Sequence, residues 1–240
     1  IDRTTPRASS NVDVAPTKSI TTSAPRPPVR SRMAWAADSS GDVASTRRPI
    51  PRAAAGAAHM GMRPVVEMQF IDFIANAYDM LTNYVATARY RAFLPCPMVV
   101  RGPSGGYVRG GPFHSQNPEA GFLHTPGLKI VYPATAADAK GLMKAAIRDD
   151  DCVLFFEHKY LYRRIKEVMP DGDHIVPLGK ARVAREGNDV SIVTYASTVW
   201  KALEAAEIVA AEGISVEVID LRTLAPMDDE AIFRTVKKTN

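Results

Sequence analysis

Apolar positions divide the chain sharply near residue 53. Residues 1–52 are rich in Ser, Thr, Pro, Ala and Arg and show almost no apolar periodicity. Such a segment cannot bury enough surface to offset the entropy of ordering it, so it reads as disordered or as foreign to the fold. Its Arg- and Ser-rich, acid-poor character also suits an organellar transit peptide, although no amphipathic helix is visible in it. From Ala53 the pattern changes. Residues 53–62 form a small-residue helix end closed by Gly61, and 64–68 a short buried strand. Between 70 and 91 the apolar residues Phe70, Phe73, Ile74, Ala77, Tyr78, Leu81 and Val85 recur at helical spacing. Residues 97–100 form a buried strand followed by a Gly-rich loop over 104–111. Strands over 129–132 and 153–157 flank a helix over 135–149. This alternation predicts an α/β fold with a parallel sheet and right-handed crossovers.

Residues 165–180, with Pro170, Asp171, Gly172, Asp173 and Pro177, read as a linker to a second α/β unit over 181–240. That unit shows strands over 190–195 and 215–219, a helix over 198–212 stopped by Gly213, and a helix over 228–237. Two strands and two helices do not make a stable sheet by themselves, so the second unit is expected to be cut short. The chain opens on Ile1 rather than Met and ends at Asn240, which also suggests a fragment.

Charge follows the same division. Residues 1–63 hold ten Lys and Arg against four Asp, whereas the other 177 residues hold 20 basic and 22 acidic side chains. The basic character belongs to the front end and gives no reason to expect the folded part to bind nucleic acid or membrane. No apolar run approaches the ~18 residues needed to span a bilayer. Two cysteines, Cys96 and Cys152, make neither a disulfide framework nor a metal-ligand spacing and fit a reducing compartment. A bacterial cytoplasm is favoured over a mitochondrial matrix.

Several motifs occur in order from about Ala53 to Asn240: 62-MRPVVEMQFIDFI-74, 100-VRGPSGG-106, 114-HSQNPE-119, 124-HTPGLK-129, 155-FFEHKYLY-162 and 218-VIDLRTLAPMD-228. In these the chain resembles the beta subunit of the decarboxylating component of 2-oxo acid dehydrogenase complexes. The resemblance implies a partial thiamine-diphosphate-binding pyrimidine domain over 53–164, and an incomplete transketolase C-terminal-type domain over 181–240. It implies thiamine diphosphate shared with an alpha subunit in an alpha2beta2 heterotetramer, the alpha subunit holding the diphosphate and magnesium. The implied reaction is decarboxylation of a 2-oxo acid and acyl transfer to a lipoyl-bearing acyltransferase. The cofactor supplies the electron sink, and the protein supplies position and electrostatics.

The resemblance carries over to single residues. Gln69 and Phe73 match positions lining the pyrimidine pocket; their four-residue spacing puts them on one helical face if the helix starts early. Phe73 could equally be plain core. His114 matches the active-site histidine, and an imidazole is apt for proton transfer near neutral pH. His124, before a Pro-Gly turn, reads as structural. Met98, Ala146, Asp149 and Asp151 match positions whose backbone carbonyls hold potassium, a hard cation that favours oxygen; residues 149–151 could also be a solvated helix end. Glu157, Tyr160 and Tyr162 could approach the substrate side or cap a domain interface. The string 155–163 leans toward branched-chain 2-oxo acids over pyruvate.

One feature is missing. In the family a glutamate contacts a pyrimidine nitrogen about 20 residues before the position of Glu67. Counting back reaches Arg47, and no Glu precedes Glu67 at all. Arginine cannot accept that hydrogen bond. The family's first strand and helix are also expected to be replaced by the unstructured head. The chain as written is expected to be inactive or severely impaired. The alternatives are a non-catalytic assembly relative, or another transketolase-family thiamine enzyme.

Overall fold

The computed structural model describes residues 33–37 and 49–239. Arg47 and most of residues 1–48 lie outside them. Two pieces of the segment expected to be unstructured belong to regular elements instead. Met33–Ala37 forms strand β1, and Pro49–His59 forms helix α1, which starts ahead of Ala53. The backbone reason for β1 is visible in its pairing: it runs parallel to β2 (Arg63–Glu67), Met33 opposite Arg63 and Ala37 opposite Glu67.

The first sheet has six strands in the order β1-β2-β3-β5-β4-β9. Here β3 is Val99–Ser104, β4 Lys129–Val131, β5 Val153–His158 and β9 Thr223–Ala225. All pairs are parallel except β4 with β9. Strands covered on both faces read as continuous apolar runs, and β5 shows why. Phe156 packs with Met68, Ile71, Ile74 and Leu81 on one face, while Phe155 packs with Leu142 and Ala146 on the other. The latter two residues belong to α4 (Ala136–Arg148), whose N-cap Thr135 accepts the N–H of Asp138 through Oγ1 at 3.1 Å.

The helix expected over 70–91 is helical but not one α-helix. It comprises a 3-10 turn Ile71–Ala77, a π-helical stretch Met80–Val85 and the short α2 (Ala88–Ala92). Its buried face is Ile71, Ile74, Ala77, Leu81 and Val85, while Tyr78 is exposed and Phe70 and Phe73 are half-buried. Two of its aromatic residues are thereby left for other neighbours.

The second unit holds a three-stranded sheet, one strand more than expected. Strand β6 (Arg182–Arg185) pairs antiparallel with β8 (Val216–Asp220), and β7 (Val190–Thr194) pairs parallel with β8. Helices α5 (Ser197–Ala210) and α6 (Asp229–Thr239) pack on it, and Gly213, at φ 83°, lies just beyond α5. The sequence pattern missed β6 because its residues, Arg-Val-Ala-Arg, give a strand signal too short to stand out. It also missed β9, which leaves the second unit to join the first sheet. Residues 165–180 have no helix or strand, yet they are tied to α4. Arg148 and Lys144 bind Asp173, and Val176 is buried over Gly141.

Candidate active site

Three adjacent parallel strands, β2, β3 and β5, deliver their carboxyl ends to one edge of the first sheet, the usual place for a ligand in an α/β sheet. After β2 the chain enters Gln69, Phe70 and the 3-10 turn. After β3 it runs through the Gly-rich loop to a second 3-10 turn, Pro112–His114. After β5 it makes a third, Lys159–Leu161. The three connections meet around His114.

The imidazole of His114 is half-buried and stands edge-on to two phenyl rings, with centroids 4.4 Å from Phe70 and 5.8 Å from Phe73. Its Nδ1 lies 2.9 Å from the carbonyl oxygen of Gly110. Phe70 also borders an open groove of about 590 Å³ lined by Pro103, Tyr107, Lys159, Tyr160 and Tyr162 among others. Phe73 and His114 are thus brought together. Gln69 sits one residue before Phe70 with its side chain exposed. The 3-10 turn begins only at Ile71, so the shared helical face expected for Gln69 and Phe73 does not form.

The loop carrying His114 is pinned at successive residues. Asp72 Oδ1 accepts the N–H groups of Ser115 (2.9 Å) and Gln116 (3.0 Å). Lys159 Nζ donates to the carbonyl of His114 at 2.8 Å, and Gly105 N–H to that of Gln116 at 2.9 Å. Tyr132 donates to Asn117 Oδ1 at 3.3 Å and bonds Ser104. Buried Glu119 accepts the hydroxyl of Tyr195, from the second unit, at 3.1 Å, and burial raises its carboxyl above the usual range. Burial lowers Lys159, against the opposing pull of Asp72. Phe70, Asp72 and Lys159 escaped the sequence reading. A charged residue between Ile71 and Phe73 in an otherwise apolar stretch was the available signal for Asp72.

Of the other expected positions, Tyr160 and Tyr162 line the groove beside Phe70, Glu157 contacts Tyr162, and the rest lie elsewhere. Glu157 is held by Arg101 in a forked pair (3.1 and 2.6 Å) and accepts the hydroxyl of Tyr162 at 2.6 Å. Tyr160 packs against Tyr107, ring centroids 4.5 Å apart. His124 is the exposed C-cap of α3 (Ala120–Leu123). Met98, Ala146, Asp149 and Asp151 gather at the opposite, amino-terminal edge of the sheet. There the carbonyl of Met98 accepts Val153 N–H and that of Ala146 accepts Asp149 N–H. Arg63 Nη1 meets the carbonyls of Ile147 (3.1 Å) and Asp149 (2.6 Å), and its other nitrogen pairs with Asp150. A guanidinium therefore already supplies positive charge to one of the four expected oxygens, the carbonyl of Asp149, where a potassium ion would compete with it.

An aromatic heterocycle, by contrast, fits at the His114 edge: two phenyl faces, an exposed amide and an imidazole share one sheet end beside a groove. Among the carboxylates of the region, Glu67 and Glu157 pair with Arg101. Asp72 holds backbone amides through Oδ1, while its buried Oδ2 has no hydrogen-bond partner among the described residues.

An α/β protein with this site at the strand ends is of the transketolase type. The model of the transketolase pyrimidine binding domain matches residues 52–165, and that of the transketolase C-terminal domain matches residues 179–240. The chain belongs to this transketolase-type family, the two domain models together matching most of it. It is 53% identical over 186 residues to the 2-oxoisovalerate dehydrogenase subunit beta of Bacillus subtilis, covering 77% of this chain and 57% of that protein. It is 42% identical over 188 residues to the pyruvate dehydrogenase E1 component subunit beta of Staphylococcus aureus, covering 78% and 58%. A solved split-gene transketolase, described as an inactive beta4 tetramer, superposes with a TM-score of 0.66 at 26% identity, over 78% of this chain and 58% of that one. The chain spans a little over half the length of these relatives.

Proposed function

We propose that this chain forms the pyrimidine-facing wall of a thiamine-diphosphate site in a 2-oxo acid dehydrogenase. In that role it is the beta subunit beside an alpha subunit that holds the diphosphate and magnesium. The observation that carries this reading is the convergence of Phe70, Phe73 and His114 at the carboxyl ends of β2 and β3. Bound there, thiamine diphosphate would supply the electron sink for decarboxylation. The chain's own residues do the rest. Phe73 packs against the pyrimidine, Gln69 offers an amide to its polar edge, and His114 moves a proton at the reacting substrate and in acyl transfer to a lipoyl group. Branched-chain 2-oxo acids are the favoured substrates, because the more identical relative acts in 2-oxoisovalerate dehydrogenase.

Binding and turnover separate in this chain. No Glu precedes Glu67, so the glutamate that activates the cofactor in the family has no counterpart in this chain. Mixed with the alpha subunit of the Bacillus subtilis relative, the chain should bind thiamine diphosphate, read by calorimetry, and give almost no decarboxylation. Phe73→Ala should weaken binding about tenfold or more, the loss of one aromatic contact of ~1.5 kcal/mol. Absence of binding would remove the cofactor reading. Turnover at the relative's rate would remove the account of the missing carboxylate. The same missing carboxylate supports a second reading, a non-catalytic beta-type subunit that serves assembly. It predicts a stable complex with the alpha subunit and no cofactor dependence of that complex.

A further inference from the structure

Most of the polar contacts around His114 act on its backbone rather than its ring. On one side Asp72, in the turn after β2, is buried and takes two consecutive N–H groups, those of Ser115 and Gln116, on a single oxygen. On the other side Lys159, in the turn after β5, is buried and gives its ammonium to the carbonyl of His114 itself. Lys159 also lies 5.1 Å from the centroid of Phe70, the ring nearest the imidazole. A base and an acid from two different strand ends therefore grip opposite edges of the peptide unit that joins His114 to Ser115, and the acid also holds the next one. Both are charge-assisted bonds, which are shorter and stronger than neutral ones.

The ring is fixed by what this grip leaves next to it. Nδ1 faces the carbonyl of Gly110, and a carbonyl only accepts, so in the neutral imidazole the proton sits on Nδ1. Gly110 is close enough that a Cβ there would stand 2.8 Å from Cβ of His114. The backbone of residue 110 can approach only as glycine. Nε2 is left with its lone pair.

We infer that Asp72 and Lys159 are positioning residues that aim His114 and hold it in the Nδ1–H tautomer, leaving Nε2 as its working nitrogen. This rests on the reading of His114 as the reacting imidazole, but the geometry stands in the chain alone and is tested there. An Nε2 kept as acceptor can take a proton from a substrate group and, once protonated, deliver it to the sulfur that leaves when a lipoyl disulfide opens. The other tautomer would present an N–H there and could not.

The test uses the full chain labelled with 15N-histidine, without cofactor or partner, His114 being assigned by His114→Gln. Ring 15N shifts report the tautomer, and native-state exchange reports the amides of Ser115 and Gln116. The parent should show His114 as Nδ1–H with both amides protected. Asp72→Ala should mix the tautomers and speed exchange of both amides about tenfold or more, the loss of bonds to a charged acceptor. Asp72→Asn keeps an oxygen acceptor and should stay near the parent. Lys159→Met frees the carbonyl of His114 and should mix the tautomers without touching Asp72. A folded Asp72→Ala protein with unchanged tautomer and exchange would overturn the inference. If that variant does not fold, an unchanged tautomer in Lys159→Met overturns it instead. Loss of thiamine binding with the tautomer intact would count against the cofactor reading alone.

Discussion

Gly102 of β3 lies against the carbonyl of Met68 so closely that a Cβ at residue 102 would stand 2.7 Å from that oxygen and 2.5 Å from Cδ1 of Ile71. This contact seats the turn that carries Phe70, Asp72 and Phe73 directly on the sheet. Gly102→Ala should push the turn outward and cost about 1–3 kcal/mol, as overpacking of a tight interior does. Urea denaturation would read the loss. The same variant should lower the protection of the Ser115 amide, because Asp72 moves with the turn. An unchanged urea midpoint would show that the turn yields freely.

Asp220 gives the protein a pH dependence of definite sign. Burial pushes its carboxyl up to about 6, against the pull of Arg182 Nη2 at 3.0 Å and of the Arg222 N–H at 3.2 Å. Asp138, which pairs with Arg222 at 2.9 Å and with Arg182 at 3.3 Å, adds a second negative charge nearby. The folded carboxyl keeps its proton to higher pH than the unfolded one, whose ordinary value is 3.8. The native state thus binds the extra proton between those values. Stability from this group is full below about pH 4 and falls as pH rises through about 6, by at most about 3 kcal/mol. Asp220→Asn should flatten thermal stability across that window. A parallel shift of both curves would sink the assignment to Asp220.

Cys96 and Cys152 are both buried, and burial pushes the Cys96 thiol up to about 11 and the Cys152 thiol well above its ordinary value. Thiolate is the reactive form, so neither should react with a disulfide reagent in the native protein at pH 8. Both should react once the chain is unfolded in guanidinium. Prompt modification of one thiol under native conditions would show that this interior opens easily.

Potassium should have no specific effect. With Arg63 bonded to the carbonyls of Ile147 and Asp149, replacing sodium chloride by potassium chloride at equal ionic strength should leave Tm unchanged. Arg63→Met should destabilise by about 1–3 kcal/mol, the loss of charge-assisted bonds to these carbonyls. A rise in parent Tm with potassium alone would restore the ion to this corner.

Much of the fold was legible because its strands carry their own signal. The apolar runs at 64–68 and 153–157 read as buried parallel strands and form β2 and β5. The stop of α5 beside Gly213 was equally plain. What stayed hidden depends on neighbours far along the chain. β9 is three residues whose only reason to be extended is the edge of β4, and β1 pairs along β2. The segment 71–92 shows helical spacing, but its 3-10 and π geometry answers to the sheet beneath it. At the site, Phe73 and His114 could be named from motifs. Asp72 and Lys159 could not, since their partners are backbone groups 43 to 45 residues away.

Because β9 returns from beyond residue 180 to lie along β4, with Ile130 opposite Ala225 and Val131 opposite Thr223, the two units are stitched together like overlapping pages. Nicking the connection would not release a self-sufficient front half. It would bare the short ribbon Lys-Ile-Val, whose unmet amides and carbonyls invite adhesion to any passing strand.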